Sequence, residues 1–172
     1  MKVVVTGGAG YIGSACVERL VQQNHSVTVF DNLSEGHRSA VHPGAAFIEG
    51  CLSQADSIRE LITRREPEVV IHFAASALVG ESMTHPGKYF SNNVGHGINL
   101  LNACVEGRVG KLIFSSTCAT YGAPAQIPLK EEAPQKPISP YGESKLIFEN
   151  MLRWYHQIHG LDYVALRYFN AC

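Results

Sequence analysis

The segment that decides the fold is Thr6-Gly7-Gly8-Ala9-Gly10-Tyr11-Ile12-Gly13, which follows the apolar run Lys2–Thr6 and opens a helical pattern. Gly7 permits a tight turn, Gly10 lets the backbone approach a pyrophosphate, and Gly13 lets the helix pack closely on the sheet. The anion would be held by free N–H groups at the positive end of the helix. Because a strand precedes the glycines and a helix follows them, they predict a dinucleotide site rather than an ordinary turn.

A carboxylate stands 18 residues beyond Gly13, at Asp31, where the second apolar run ends. There it would accept hydrogen bonds from the ribose hydroxyls of adenosine and repel a 2′-phosphate, which favours NAD over NADP. No Arg follows it directly, although His37 and Arg38 are near enough in sequence to soften the preference. The alternative is a loop aspartate that only ends a strand.

Short β-branched runs alternate with longer helical patterns along the chain. The predicted strands are Lys2–Thr6, Ser26–Phe30, Ala46–Glu49, Glu68–His72, Lys111–Ser116 and Tyr163–Tyr168, and the predicted helices lie near Tyr11–Asn24, Gln54–Arg65, Gly87–Glu106 and Tyr141–His159. Several strands are apolar at consecutive positions, as expected of strands covered on both faces. This alternation predicts an α/β fold, a doubly wound parallel sheet of the Rossmann-like type, in one nucleotide-binding domain over residues 1–172.

A long loop is predicted over Gly122–Ser139, because five of the eight prolines fall between Pro124 and Pro140. Neither a helix nor a central strand can run through such a segment. A loop of this length is typical of a functional or mobile segment, and the alternative is a plain linker to the next helix.

A tyrosine and a lysine open the last predicted helix, after Ser139 as N-cap and Pro140 in the first turn. Tyr141 and Lys145 are four residues apart and therefore share one helix face. A phenol with a pKa near its reference value of about 10 is a poor base at neutral pH. A nearby ammonium and a positively charged nicotinamide ring would both stabilise the phenolate. An exposed helix face is the alternative. The apolar positions expected to dock this helix are Ile147, Met151, Trp154, Tyr155 and Ile158.

Three hydroxyl side chains end the fifth predicted strand, at Ser115, Ser116 and Thr117. Ligands bind at the carboxyl ends of parallel strands, so one of these hydroxyls is placed to bond a reacting sugar oxygen and the tyrosine, and spacing alone does not choose among them. Cys118 is predicted to be a small buried filler, because no His or Asp is positioned to activate it. His72, where the fourth strand ends, is predicted to be a structural histidine.

Composition excludes several classes of protein. The 172 residues are 45% hydrophobic and 17% charged, with a net charge of −1 and no basic run, which argues against disorder and against nucleic-acid or anionic-membrane binding. No apolar stretch is long enough for a membrane span, and the start lacks the features of a signal peptide. Five cysteines without a Cys-x-x-Cys pair argue against metal and disulfide frameworks and fit the cytoplasm.

Taken together, eight segments resemble the extended short-chain dehydrogenase/reductase superfamily, and within it the NAD-dependent epimerase/dehydratase family. These segments are Thr6–Gly13, Asp31–Ser34, His72–Ala75, Val79–Ser82, Asn92–Val94, Ser115–Gly122, Ser139–Lys145 and Arg167–Asn170. The likeness covers all 172 residues. The Gly80–Ser82 and Tyr168–Asn170 segments point to epimerases of UDP-hexoses rather than to the dehydratases or decarboxylases of the family.

The resemblance implies NAD as cofactor, a UDP-hexose as substrate, no metal, and a homodimer as a reasonable assembly. It assigns the acid/base role to Tyr141, its partner role to Lys145 and the catalytic hydroxyl to Thr117. The implied cofactor-binding residues are Gly7, Gly10, Tyr11, Ile12, Gly13, Asp31, Asn32, Leu33, Ser34, Gly36, Cys51, Leu52, Phe73, Ala74, Ala75, Ala77, Asn92, Ser115, Tyr141, Lys145 and Phe169. The implied substrate-binding residues are Ser82, Thr117, Tyr141 and Asn170.

Three departures from the family pattern stand out. Cys51 follows Gly50 where the family carries Asp, and a thiol is a poor acceptor for the adenine amino group. Ala77 occupies a position that is often Lys, which removes one cofactor contact. Family members are also much longer, so we expect a truncated chain that lacks most of the C-terminal lobe for the uridine nucleotide.

Two other functions compete with epimerisation. A dehydratase of the same superfamily would carry additional acids after the reactive hydroxyl, whereas Cys118-Ala119 follow Thr117 here. A non-catalytic dinucleotide sensor or an inactive fragment is the second alternative. A dedicated sensor would need neither Tyr141 nor Lys145, whereas truncation would favour inactivity of this chain.

Overall fold

All six predicted strands form one parallel sheet in the computed structural model, which describes residues 1–124 and 126–171. The strands are β1 (Lys2–Thr6), β2 (Ser26–Asp31), β3 (Ala46–Glu49), β4 (Val69–His72), β5 (Lys111–Thr117) and β6 (Asp162–Tyr168). Their order across the sheet is β3-β2-β1-β4-β5-β6, which places β1 well inside it. The doubly wound fold is confirmed, and each strand end lies within one residue of its predicted position. Ala125 of the predicted loop and Cys172 of the predicted domain lie outside the described residues.

The helices flank the sheet, and one predicted helix is interrupted. They are α1 (Tyr11–Gln22), α2 (Ala55–Arg65), α3 (Val79–Thr84), α4 (Pro86–Tyr89), α5 (His96–Glu106) and α6 (Pro140–His159), with 3₁₀ turns at Arg38–Ala40 and Cys118–Tyr121. The predicted helix Gly87–Glu106 is found as α4, a π-helical segment over Phe90–Gly95, and α5. The sequence pattern missed α3, because six residues are too few to show helical periodicity. Among the described residues no helix is both long and apolar enough to span a membrane.

Both faces of β1 are buried, which explains its run of three valines. Val4 packs into a cluster with Ile58 of α2 and Phe148 of α6, whereas Val3 and Val5 point to the other face. Successive strand residues alternate between faces, so a strand that is covered on both sides carries apolar side chains at consecutive positions. The parallel crossovers bring the carboxyl ends of β1, β4 and β5 to one edge of the sheet.

Helix α6 docks through a face that contains only part of the predicted apolar stripe, since Met151 and Tyr155 pack against the core as predicted. Trp154 and Ile158 are 56% and 68% exposed, so the predicted stripe is wrong at these two positions. The same docked face also carries Phe148 and Leu152, which the stripe did not include and which are fully buried in the core. The polar side chain of Glu149 is also buried, and it interrupts the apolar period that sequence analysis seeks.

Candidate active site

The glycine segment forms a tight backbone cradle after β1. Gly7 has a φ of +73°, and a Cβ there would come within 2.5 Å of the Ala74 backbone nitrogen. A Cβ on Gly13 would lie 2.1 Å from the Gly7 carbonyl oxygen, so the first turn of α1 can approach the strand end only with glycine there. A Cβ on Gly10 would meet only the Gly7 oxygen, at 3.4 Å. Packing within the chain therefore requires Gly7 and Gly13, and leaves Gly10 open to a ligand.

A cavity of about 470 Å³ opens beside this cradle at the carboxyl edge of the sheet. Twelve predicted cofactor-binding residues line it, namely Gly7, Gly10, Asp31, Asn32, Ser34, Gly36, Cys51, Leu52, Phe73, Ala74, Ala75 and Asn92. The other nine do not, namely Tyr11, Ile12, Gly13, Leu33, Ala77, Ser115, Tyr141, Lys145 and Phe169. The sequence analysis missed the lining residues Phe30, Glu35, Gly50, Ser76, Lys88, Ser91 and His96. Glu35, Gly50 and Ser76 carried a usable signal, because each lies between or beside predicted residues of the same loop.

Asp31 ties the cradle to the end of β2. One carboxylate oxygen accepts the backbone N–H of Ala9 at 2.9 Å, and the other accepts that of Leu33 at 2.8 Å. The residue is buried and also lines the cavity. A carboxylate has about four acceptor positions, so both oxygens keep capacity for a ligand. The structural and ribose-binding interpretations of this aspartate are therefore compatible.

Cys51 lines the same cavity just after β3, where its sulfur accepts the Asn32 side-chain N–H at 3.7 Å. Burial raises the pKa of the Cys51 thiol, but hydrogen bonds with Ser53 and Asn32 outweigh it and the net pKa is lowered. The position implied for adenine recognition thus holds a partly buried sulfur rather than a carboxylate.

Helix α6 begins as predicted, with the Ser139 hydroxyl accepting the Gly142 N–H at 3.1 Å. Its Lys145 is buried, and the ammonium donates to the Ser115 carbonyl oxygen at 2.9 Å. The same ammonium lies 4.9 Å from the Phe114 ring centroid and 5.9 Å from that of Tyr141. Burial lowers the pKa of Lys145 to about 7. Lysine and tyrosine thus share one face, as their spacing predicted.

Burial, rather than the lysine, dominates the acidity of Tyr141. Burial raises the pKa of the phenol, and the neighbouring Thr117 hydroxyl opposes that rise. The Lys145 ammonium instead donates its hydrogen bond to the backbone carbonyl of Ser115. The expectation that the ammonium lowers the pKa of the phenol is therefore not met by the chain alone.

The structure separates the three hydroxyls that spacing alone left equivalent. Ser116 is buried and donates to Glu149 at 2.5 Å, so its hydroxyl is turned away from the tyrosine. Ser115 contributes its carbonyl to Lys145, and the Thr117 hydroxyl is the one beside Tyr141. Cys118, predicted to be buried, is only partly buried because it starts the 3₁₀ turn that leaves the sheet.

His72 packs beneath the cradle and the lysine. Its Nδ1 lies 2.7 Å from the Thr6 hydroxyl, and its ring stacks on Phe114 and packs against Phe148. Burial, with a smaller contribution from the Lys145 charge, lowers the pKa of His72 to about 3. This neutral, fully packed ring matches the predicted structural role.

The predicted substrate residues outside β5 and α6 lie on α3 and beyond the end of β6. Ser82 is completely buried, and its hydroxyl donates to the Val79 carbonyl at 2.6 Å within α3. Asn170 is exposed beyond β6. Phe169, 64% exposed, lines a second cavity of about 440 Å³ that lies beside β6.

The sequence profile of the NAD dependent epimerase/dehydratase family matches residues 3–172 of the chain. The chain belongs to this family. Among relatives in the family, UDP-glucose 4-epimerase of Streptococcus mutans is 50% identical over 99% of this chain, and that of Lacticaseibacillus casei is 47% identical over 99%. The chain spans about half the length of these relatives, 52% of each.

Solved structures of family members share the fold closely. The structure of UDP-glucose 4-epimerase from Brucella ovis in complex with NAD has a TM-score of 0.96 and 50% identity, covering 98% of this chain and 52% of that one. The Thermus thermophilus enzyme in complex with NAD has a TM-score of 0.94 and 42% identity, covering 98% and 55%. The six-stranded domain described above therefore corresponds to about half of each of these proteins.

Proposed function

We propose that residues 1–172 form the NAD-binding half of a UDP-glucose 4-epimerase, which interconverts UDP-galactose and UDP-glucose through a 4-keto sugar with NAD tightly bound. The observation that carries the proposal is the placement of Tyr141, Lys145 and Thr117 together at the end of β5, on the edge that also holds the glycine cradle. It is supported by the similarity to the UDP-glucose 4-epimerase of Streptococcus mutans and to the Brucella ovis UDP-glucose 4-epimerase solved in complex with NAD.

The residues of the cavity fit a dinucleotide. The close approaches at Gly7 and Gly13 make a turn with no side chain over its outer surface, as a pyrophosphate requires. Asp31 lines the cavity with spare acceptor capacity for ribose hydroxyls. Asn92 and His96 add polar groups to the cavity wall. Bound there, NAD supplies a reversible hydride acceptor for carbon 4 of the sugar.

The chain's own groups handle the proton. As the phenolate, which the positive charge of a bound nicotinamide would favour, Tyr141 takes the proton of the 4-hydroxyl when that carbon is oxidised and returns it when the carbon is reduced. Thr117 is the hydroxyl that can bond the same sugar oxygen, because Ser116 is turned to Glu149. Lys145 has a pKa of about 7, so a fraction of the molecules carries a positive charge beside the phenol at neutral pH.

The proposal is tested by adding NAD and then UDP-glucose to the purified chain. We expect NAD to bind, and UDP-hexose to raise the near-ultraviolet absorbance characteristic of the reduced nicotinamide. NAD binding with no spectral response would instead support a non-catalytic fragment, and failure to bind NAD would overturn the proposal. Asp31→Ala supplies the control for the adenosine end, since it should weaken NAD more than NADP.

UDP-hexose as substrate and a second copy of the chain as partner both belong to this proposal. We expect sedimentation of the purified protein to give the mass of two chains. A monomer at all concentrations would contradict the predicted homodimer without affecting the cofactor site.

A further inference from the structure

A buried carboxylate lies one helical turn beyond the lysine, at Glu149 of α6, and groups from three other elements meet on it. Ser116 of β5 donates to its Oε1 at 2.5 Å, Arg167 of β6 donates to its Oε2 at 2.7 Å, and Gln135 of the proline-rich loop donates to the same Oε2 at 3.0 Å. Burial raises the pKa of Glu149, but Arg167, Ser116 and Gln135 together outweigh it and lower the pKa. The carboxylate is thus ionised at neutral pH and a strong acceptor.

The serine held by this carboxylate stands between the two β5 residues that contact the reactive pair. Ser115 accepts the Lys145 ammonium on its carbonyl oxygen, and the Thr117 hydroxyl neighbours the Tyr141 phenol. The Ser116 side chain bonds Glu149, two helical turns along α6 from Tyr141, whereas the hydroxyl of Thr117, at the last position of β5, is the one beside the phenol. A shift of this strand end relative to α6 would change both contacts at once.

We propose that Glu149 is a positioning residue for the reactive pair, holding the end of β5 in place against α6 through Ser116. The proposal deepens the epimerase function and rests on it. Glu149 acts through the strand rather than by touching substrate, since its carboxylate oxygens are taken up by Ser116, Gln135 and Arg167.

A second arm of the same network leads away from the reactive pair. Besides Glu149, the Arg167 guanidinium donates to the Tyr121 hydroxyl at 2.5 Å and to the Glu131 carbonyl at 3.2 Å. Gln135 belongs to this loop side of the network rather than to β5. Removing the Gln135 amide therefore deletes one hydrogen bond to Glu149 without touching the strand, which makes it a matched control for Ser116.

The test compares Ser116→Ala with Gln135→Ala in the free protein. The pKa of Tyr141 is measured by ultraviolet difference titration, with Tyr141→Phe as the blank. We expect Ser116→Ala to raise that pKa by about half a unit or more, because the Thr117 contact that lowers it is loosened. Gln135→Ala should leave it unchanged. Equal shifts in both variants, or no shift in either, would overturn the positioning role.

Two further measurements separate this inference from the proposed function. NAD affinity should be the same in wild type, Ser116→Ala and Gln135→Ala, since neither Ser116 nor Gln135 lines the cavity beside the cradle. Failure of the wild type to bind NAD would overturn the epimerase proposal, whereas the free-protein titration would still decide the role of the network. Glu149→Gln should raise the pKa of Tyr141, as Ser116→Ala does. If the Glu149→Gln variant does not fold, the result for Ser116→Ala decides the positioning role.

Discussion

The glycine cradle is the backbone turn of Gly7–Gly13, and we call the side chains of Tyr141, Lys145 and Glu149 on α6, with Thr117 of β5, the lysine–tyrosine corner. The two regions lie at one edge of the sheet but are built by opposite means. The cradle consists of backbone brought into close approach, with Gly7 and Gly13 excluding any Cβ. The corner consists of buried polar side chains, with Lys145 and Glu149 one turn apart on α6. Ligand binding by the cradle therefore depends on backbone shape, because backbone amides bind an anion without titrating. The chemistry of the corner depends instead on the protonation states of its side chains.

Tyr141→Phe gives the sharpest test of the corner, because it removes the oxygen that we propose transfers the proton and keeps the ring. We expect turnover of UDP-galactose to fall by about 10²–10⁴-fold, with NAD affinity nearly unchanged. The matched control is Tyr155→Phe on the same helix, whose hydroxyl donates to Asn102 at 2.6 Å on the surface. Unchanged activity in Tyr141→Phe would eliminate the acid/base assignment.

Gly13→Ala, in the cradle, should abolish NAD binding, whereas Tyr141→Phe should leave NAD binding nearly unchanged. A Cβ placed 2.1 Å from the Gly7 oxygen forces the helix from the strand end, so we expect NAD binding to be lost and the free energy of unfolding to fall by about 1–3 kcal/mol. Calorimetry and urea unfolding measure the two effects. Gly80→Ala serves as control, since no atom lies within 4 Å of the point where its Cβ would stand, and both quantities should be preserved.

His72 lies between the two regions and should make stability depend on pH. Its pKa of about 3 in the folded protein is below the value of 6.5 expected when unfolded, so only the unfolded chain takes up a proton as pH falls. Stability should therefore decrease from about pH 6.5 toward pH 3, with this residue contributing up to about 1.4 kcal/mol per pH unit. Urea unfolding of His72→Gln should show a shallower slope than wild type, while His156→Gln, at a half-exposed side chain, should not. Equal slopes for wild type and His72→Gln would contradict the assignment.

Cys51→Asp should give the smallest effect, because it changes a hydrogen-bond acceptor in the cavity beside the cradle and leaves the backbone of the cradle unchanged. A carboxylate accepts a hydrogen bond better than sulfur does, so we expect NAD to bind about 2- to 10-fold more tightly. Cys51→Ala, which removes the sulfur and adds no acceptor, should show no gain. Weaker binding by Cys51→Asp than by wild type would show that the adenine position implied by the family does not apply here.

Much of the cradle could be predicted because its determinants are local. The order of strand, Gly7, Gly13 and helix is continuous in sequence, and Asp31 follows at the end of the next strand. Twelve of the predicted cofactor-binding residues accordingly line one cavity. Lining residues such as Lys88 and His96 escaped prediction, because they flank the π-helical interruption between α4 and α5, which a regular helical period does not anticipate.

The sequence by itself determined the alternation of strands and helices, the glycine turn, and the pairing of Tyr141 with Lys145 on one helix face. These features depend on residues a few positions apart, whose relation follows from helix and strand geometry. Spacing left the hydroxyls of β5 equivalent, and only the family resemblance favoured Thr117. The tertiary structure decided that Thr117 neighbours the phenol, and that Glu149 joins Ser116 to Arg167. The physical reason is that a buried polar group is placed by partners far along the chain, which only the packing of α6 against β5 and β6 brings within hydrogen-bond distance.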